Sequence, residues 1–445
     1  MTDGKIVLKG TIRLLSPALI GSGDDEKSDC DIVLDAEGKP FIPATSLIGV
    51  LRHHIKPANK ENELNVFWGY AEKDDGGQSC VICADLYPVN SAGITIRDGI
   101  KIDNKIGMVE MDKQKKTGKK YDYQVIEKDA KFNLNITINF SSATKDFCGQ
   151  MAATIKDVLQ NEKISIGAKT NSGLGRIKLE EPEKREALQE YNFNKQHKQD
   201  VFKWLTGKDG NPFAADPFPL RKNTFTIKAE FKLKNSLIIR AYAEEENAPD
   251  ATSMKSGSKF VIPGTSLKGA VRSRAEKILN TIKPGMTEQI MNSLFGYVDE
   301  NNAAEKAKKG RIRIDEVILP ELTPELHTRI KIDRFTGGAL GGALFDAMPL
   351  FDGGEQKFEV KIIIDNYKDY EAGLLLLVLK DLWTGDLAVG GEKNVGRGVF
   401  EGIAAQIAWD HQSVSLEKDN LTGLADLSFF VKSLAELKEA ANVGS

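Results

Sequence analysis

Cysteine is scarce in this chain of 445 residues: only Cys30, Cys80, Cys83 and Cys148 are present. Four thiols over such a length do not make a disulfide framework, and they fit a reducing compartment, so a cytoplasmic protein is expected. Histidine is equally sparse, and His53, His54, His197, His327 and His411 form no evident grouping. No Ser/His/Asp or Cys/His catalytic set is therefore suggested. Net charge is nearly absent, at −3 from 61 Lys+Arg against 64 Asp+Glu. That balance argues mildly against a polyanionic partner, but it says nothing about how the charges are distributed. Long apolar runs are missing too. The longest, LLLLVL at 374–379, falls far below the roughly 20 residues of a membrane span and reads as a core helix. The opening MTDGKIVLKG lacks the apolar stretch of a signal peptide, so no membrane partner is expected. What remains is an ordinary globular balance, 41% hydrophobic and 28% charged, on a chain long enough for two or three domains.

Self-similarity is the dominant feature. IPATSLIGVLR at 42–52 and IPGTSLKGAVR at 262–272 agree at seven of eleven positions, with an offset of 220. GAKTNSGLGR at 167–176 and GGEKNVGRGV at 390–399 place Gly, Asn, Gly and Gly at the same spacing, with an offset of 223. Between them, IKIDNKIG at 100–107 answers IKIDRFTG at 330–337, and FWGY at 67–70 answers LFGY at 294–297. Four blocks recurring in one order with nearly constant offsets indicate a tandem duplication, each half about one domain long. The expected division is a first domain over 1–182, a linker over 183–222, a second domain over 223–410 and a helical tail over 411–445.

Each block has a physical reading. Both halves open with an alternating strand, KIVLKGTIRLL at 5–15 and TFTIKAEFKL at 224–233. Ile42-Pro43 and Ile262-Pro263 end a short strand, because proline lacks a ladder donor. Thr45-Ser46 and Thr265-Ser266 stand where a helix N-cap belongs, and the free amides of a helix start form a natural phosphate site. Arg52 follows in the first half; Lys268 and Arg272 follow in the second. A plain capped helix with a solvated basic face is the alternative. The Gly-rich blocks permit close backbone approach at Gly173, Gly175, Gly396 and Gly398, with Lys169, Asn171, Arg176, Lys393, Asn394 and Arg397 around them. A phosphate backbone across such a loop is sensible; a tight structural turn is the alternative. The third block opens a long excursion that reads as a protruding β-hairpin in the second half. In the first half it interleaves Lys113, Lys115, Lys116, Lys119 and Lys120 with Tyr121 and Tyr123, which suits a nucleic-acid strand or a solvated charge run.

In order and in content these blocks resemble the RAMP superfamily of CRISPR proteins. IPGTSLKGAVR, LFG with GRIRIDEVIL, RIKIDRFTGGA with GALF, and NVGRG are similar to the Cas-seven backbone subunit of type III effector complexes, and two such units in one chain resemble the fused subunit of type III-D complexes. The resemblance implies an α+β chain of two tandem modified ferredoxin-like, RRM-type domains, each with a thumb hairpin. It implies binding of guide RNA (crRNA) through the helix and Gly-rich loop, pairing with a single-stranded target RNA, and assembly with other CRISPR effector subunits. The thumbs, carrying Ile106 and Met108 in one half and Phe335, Leu344 and Phe345 in the other, would enter the guide–target duplex. A loop Asp before the Ile-Pro strand would cut target RNA with a divalent metal, Mg2+ being the expected ion. Asp29, with Asp31 as its nearest rival, and Asp250 occupy that position and would be both catalytic and metal-binding; in a scaffold subunit both would be ordinary loop residues.

Cys80 and Cys83 have CxxC spacing, which admits a zinc site. The repeat, however, aligns VICADLYP at 81–88 with RIDEVILP at 313–320, placing the pair on or beside a strand, where residues three apart face opposite ways. Zinc is therefore the less favoured cofactor.

Overall fold

The structure is a computed structural model that describes residues 2–23, 30–72, 75–100, 102–103, 108–111, 120–182, 186–193, 197–220, 223–241, 249–297, 307–353, 356–420 and 423–438. It divides into two units. One comprises Met1–Gly99, Tyr121–Thr170 and Leu174–Arg221; the other comprises Ile100–Lys120, Asn171–Gly173 and Lys222–Ser445. The fold is mixed α+β, built twice on one plan.

In the first unit the opening strand β1 (Gly4–Leu14) alternates as expected, burying Ile6, Leu8, Ile12 and Leu14. It pairs antiparallel along its length with β3 (Lys131–Phe140), from Gly4 opposite Phe140 to Arg13 opposite Lys131. The far edge of β3 takes β2 (Val81–Cys83). The other edge of β1 is shared: β4 (Ile177–Glu180) pairs with its end and β5 (Leu188–Asn192) with its start. Helix α3 (Lys145–Gln160), with Met151, Ala152, Ile155, Val158 and Leu159 buried, covers one face. Helix α1 (Ala44–His54) carries the Ile-Pro block of this half, and α2 (Glu61–Trp68) runs into its FWGY block.

The second unit repeats this order. Its central strand β6 (Thr224–Leu233) buries Phe225, Ile227, Ala229, Phe231 and Leu233. It lies between β10 (Lys357–Asp365) and β11 (Phe400–Trp409). β7 (Ile312–Ile314) flanks β10, and β12 (Gln412–Glu417) flanks β11. Helix α5 (Gly264–Ile282) carries the first block, and helix α6 (Thr287–Phe295) follows it. The hairpin strands are β8 (His327–Ile332) and β9 (Ala339–Ala347). The LLLLVL run lies in helix α7 (Asp369–Thr384), with Leu374, Leu375, Val378 and Leu379 buried.

Two segments differ from their sequence reading. The stretch expected to be a linker supplies β5 and the helix α4 (Lys198–Leu205). Ala187, Leu188 and Tyr191 are buried there, and the segment is held as a strand by antiparallel pairing with Gly4–Leu8 on one side and Asn211–Pro212 on the other, despite the charged context. The tail is not an appendage either. β12 extends the sheet, and helix α8 (Leu424–Glu436) sets Phe430, fully buried, against Phe225 and Trp409 with ring centroids 5.2 and 5.3 Å apart in edge-on geometry. The helices touch closely at Gly373, where a Cβ would lie 2.2 Å from the Phe430 carbonyl oxygen.

Truncation of a large buried aromatic removes its transfer energy and leaves a cavity. Phe430→Ala should therefore cost about 3–5 kcal/mol in the second unit, read as a shifted urea midpoint. A loss below about 1 kcal/mol would mean that α8 contributes no core.

Candidate nucleic-acid interface

The helix starts come first. Pro43 (φ −57, ψ 135) and Pro263 (φ −59, ψ 141) are themselves the cap residues, and the helices begin at Ala44 and Gly264. Thr45-Ser46 and Thr265-Ser266 thus lie in the first turn and not at the N-cap. Proline's fixed φ suits the extended cap conformation, and its carbonyl accepts the Ser46 or Ser266 amide at 3.0 Å. In the first unit the Ala44 amide donates to Asp85 Oδ1 at 2.7 Å, so a carboxylate already holds the anion position at that helix end. Arg52 and Arg272 are both exposed about two turns into their helices, the latter with its guanidinium 5.8 Å from the Phe295 ring centre. Lys268 sits half-buried on the same helix. Burial, reinforced by the charges of Arg272 and Lys309, pushes its pKa down to about 8.

The Gly-rich blocks are tight loops in both units. At Gly175 and at Gly398 a Cβ would lie 1.8 Å from a carbonyl oxygen, of Ile166 and Val389 respectively, and both have φ above 70°. Only glycine fits there. Gly173 and Gly396 match as well, with φ 83° and 84°. Asn394 and Lys393 are exposed at the turn, while Asn171 is half-buried. Arg176 is partly buried and paired with Glu162 at 2.7 Å.

One position of this block diverges sharply. Lys169 and Glu392 are equivalent in the repeat, and both adopt left-handed backbone, at φ 53° and 54°. The Lys169 ammonium lies 4.2 and 3.9 Å from the ring centres of Tyr121 and Tyr123. Burial lowers its pKa to about 8, weakly opposed by Cys30. Glu392 instead accepts from Arg240 at 3.2 Å, Arg329 at 3.0 Å and Arg397 at 2.7 Å. Burial alone would raise its pKa, but the hydrogen bond from Arg397 and the charges of Arg329 and Arg397 hold it below the ordinary carboxylate value.

Arg397 requires a correction. Read from the sequence as a phosphate contact, it is buried. Beyond Glu392, its guanidinium donates to Ser236 Oγ at 2.8 Å and approaches His327 Nδ1 at 3.2 Å. It braces the loop from inside.

The expected thumb is present in the second unit. β8 and β9 pair from His327 opposite Ala347 to Ile332 opposite Ala339. Asp333 Oδ1 holds the tip, accepting the amides of Phe335 at 2.7 Å and Thr336 at 3.2 Å. Phe335 is 100% exposed, and Ile330, Ile332, Leu344 and Phe345 are exposed on the strands. In the first half of the sequence the corresponding block pairs the backbone of Met108 with Asp103, whereas Ile106 and Asp29 lie outside the described residues. Asp250 sits at the hairpin base. Its Oδ2 accepts the Asp346 amide at 2.9 Å, and Ala251 and Met348 complete the attachment through backbone bonds. A cleft of about 190 Å³ is lined by Arg240, Asp250, Phe345 and Asp346 among others. Sequence reasoning missed Arg240, Arg329, Glu392 and Asp346. The one available signal was the reversal of charge between Lys169 and Glu392 inside otherwise matching blocks.

Cys80, just before the strand, and Cys83, at its end, have different partners. Cys83 Sγ turns to the Ala84 carbonyl at 3.3 Å, and burial raises its pKa to about 11. Cys80 lies beside Cys148, whose hydrogen bond draws the Cys80 thiol down to about 7. Among the described residues no group of three or more His, Cys, Asp or Glu side chains is placed to hold a metal ion.

A family model for the RAMP superfamily matches the chain twice, over residues 11–178 and 230–401. The chain belongs to the RAMP superfamily. A search of curated proteins finds no match to it. The two RAMP matches fall on the two halves of the sequence repeat, and each spans the Ile-Pro helix start and the whole Gly-rich block of its half. RAMP membership ties the chain to CRISPR effector assemblies and to RNA. Among the described residues, no helix is long and apolar enough to cross a membrane.

The depressed lysines give a pH signature. With a folded pKa near 8, below the roughly 10.4 of a free lysine, Lys169 and Lys268 resist protonation in the folded chain. Their burial therefore destabilises in full below about pH 8, and that cost is lost as pH rises from there towards the unfolded value near 10.4. Phosphate binding requires the charged form, so RNA affinity should fall between pH 7 and 9. The double variant K169R/K268R should flatten that dependence; a profile unchanged by the double substitution would remove both lysines from the contact.

Proposed function

We propose that this RAMP protein is a guide-RNA-binding backbone subunit of a type III CRISPR effector complex, a fusion of two such units, and that it cuts the paired target RNA. The observation that carries the reading is the second unit's hairpin. Apolar side chains on both strands and a fully exposed phenylalanine at a hydrogen-bonded tip are costly in water and well suited to stacking on bases. The Ile-Pro helix start and the Gly-rich loop, present in both units, supply amides and cations for the backbone of one strand.

Cleavage is assigned to Asp250, with Asp29 as its counterpart in the first half. Asp250 is fastened by the Asp346 amide to the base of the hairpin, where a strand splayed by the thumb would pass. A divalent cation suits the pair Asp250 and Asp346. Both offer hard carboxylate oxygens, Mg2+ is commonly held by one or two carboxylates plus substrate phosphates, and Asp346 Oδ1 is buried without a hydrogen-bond partner. Such an ion would neutralise charge on the phosphate oxygens. The protein's own part is to hold the ribose 2′-OH in line with its phosphate.

In the assembled complex with guide and target RNA, D250A should abolish one class of cuts and D29A another, with target binding retained. If every cut persists in both variants, the subunit is a scaffold. F335A should weaken target engagement by about 1–3 kcal/mol, the usual worth of a stacked base, measured by titration of labelled target.

A further inference from the structure

Glu392 is an unusual residue for a surface that binds a polyanion, yet it is central to the second unit's Gly-rich loop. Its side chain is only 7% exposed, in left-handed backbone that a glutamate rarely adopts. Both oxygens are used: Oε1 for Arg240, Oε2 for Arg329 and Arg397. One carboxylate facing three guanidiniums leaves two positive charges in excess. Arg397 is internal, with its side chain 5% exposed. Arg329 at 29% and Arg240 at 53% have donor groups left over on the solvent side. Asp250 and Asp346 line the cleft with Arg240, but neither is ion-paired to it: Asp250 is taken by a backbone amide.

From this arrangement we infer that Arg240 and Arg329, oriented by Glu392, form a phosphate clamp at the base of the thumb, taking one backbone phosphate of a bound RNA. The inference rests on the RNA-binding reading above and adds to it a site that neither the repeat nor the Gly-rich motif indicated. A planar guanidinium offers paired donors to phosphate oxygens. Two of them splayed freely would repel each other and lose rotamer freedom on binding. Tied to a common buried carboxylate, they are fixed at short separation before the ligand arrives, which reduces the ordering cost of binding. Glu392 is in this sense a positioning residue, and its negative charge serves anion binding indirectly. The side chains come from three separated stretches: the strand Arg240–Ala241, the thumb strand β8 and the Gly-rich loop. Phosphate bound there lies beside the cleft that holds Asp250.

The test is salt-dependent binding of the full-length chain to a labelled, unstructured single-stranded RNA. Each lost phosphate contact should lower the slope of log affinity against log salt by about 0.7. R240Q/R329Q should show that reduction, with affinity at least tenfold weaker at low salt, and R240Q alone, which leaves Arg329 on the same phosphate, a smaller one in the same direction. E392Q is the discriminating variant. It removes one negative charge, so a merely electrostatic surface would bind RNA more tightly, whereas a positioned clamp would bind it several-fold more weakly. The thermal midpoint of R240Q, altered at a half-exposed side chain, serves as the folding control. Unchanged slopes in the arginine variants, or tighter binding by E392Q, overturn the clamp while leaving the RNA-binding reading intact. A wild-type chain without affinity for RNA at low salt overturns both.

Discussion

Each unit depends on one antiparallel ladder. In the first, β1 and β3 run opposed for ten successive pairs; in the second, β6 and β10 do so for nine. The period of two along these strands sends alternate side chains to the core, so slippage by a single residue would expose the whole apolar set. That constraint fixes where the strands end, and therefore where the chain must leave the sheet. The proline-started helix, the thumb and the Gly-rich loop are all departures from it. Their recurrence in the same order reflects a ladder built twice in one register.

Much of this was legible beforehand. The alternation in 5–15 and 224–233 sufficed for the central strands, and the doubled IP-TSL block marked both helix starts within a few residues. The thumb was readable from IKID followed by Gly pairs, because a strand, a turn and a second strand of small residues leave few other options. Less visible were features decided by distant partners. The cap lies on Pro43 and Pro263 since the extended backbone continues through the proline, a distinction that Thr-Ser composition does not make. The strand Leu188–Asn192 sits among charged residues, and only its pairing with Gly4–Leu8 explains it.

Arginine positions were the least legible. Arg397 follows a glycine in a loop that looks made for phosphate, and its burial follows from Ser236 and His327, far away in sequence. Arg240 and Arg329 lie in unremarkable strands, and nothing local marks them as neighbours. Guanidiniums reach far enough that their partners are set by tertiary packing. A motif predicts the loop that carries a charge more readily than the direction in which the charge points.

The pair Lys169 and Glu392 has a consequence for the duplication itself. The same left-handed backbone position is matched in one half to two aromatic faces and in the other to three guanidiniums. An exchange of loops between the halves would set a carboxylate against the electron-rich rings and a third cation beside Arg240 and Arg329. Recombination within the gene would thus be penalised at both sites at once, which favours the continued divergence of two modules that began as copies.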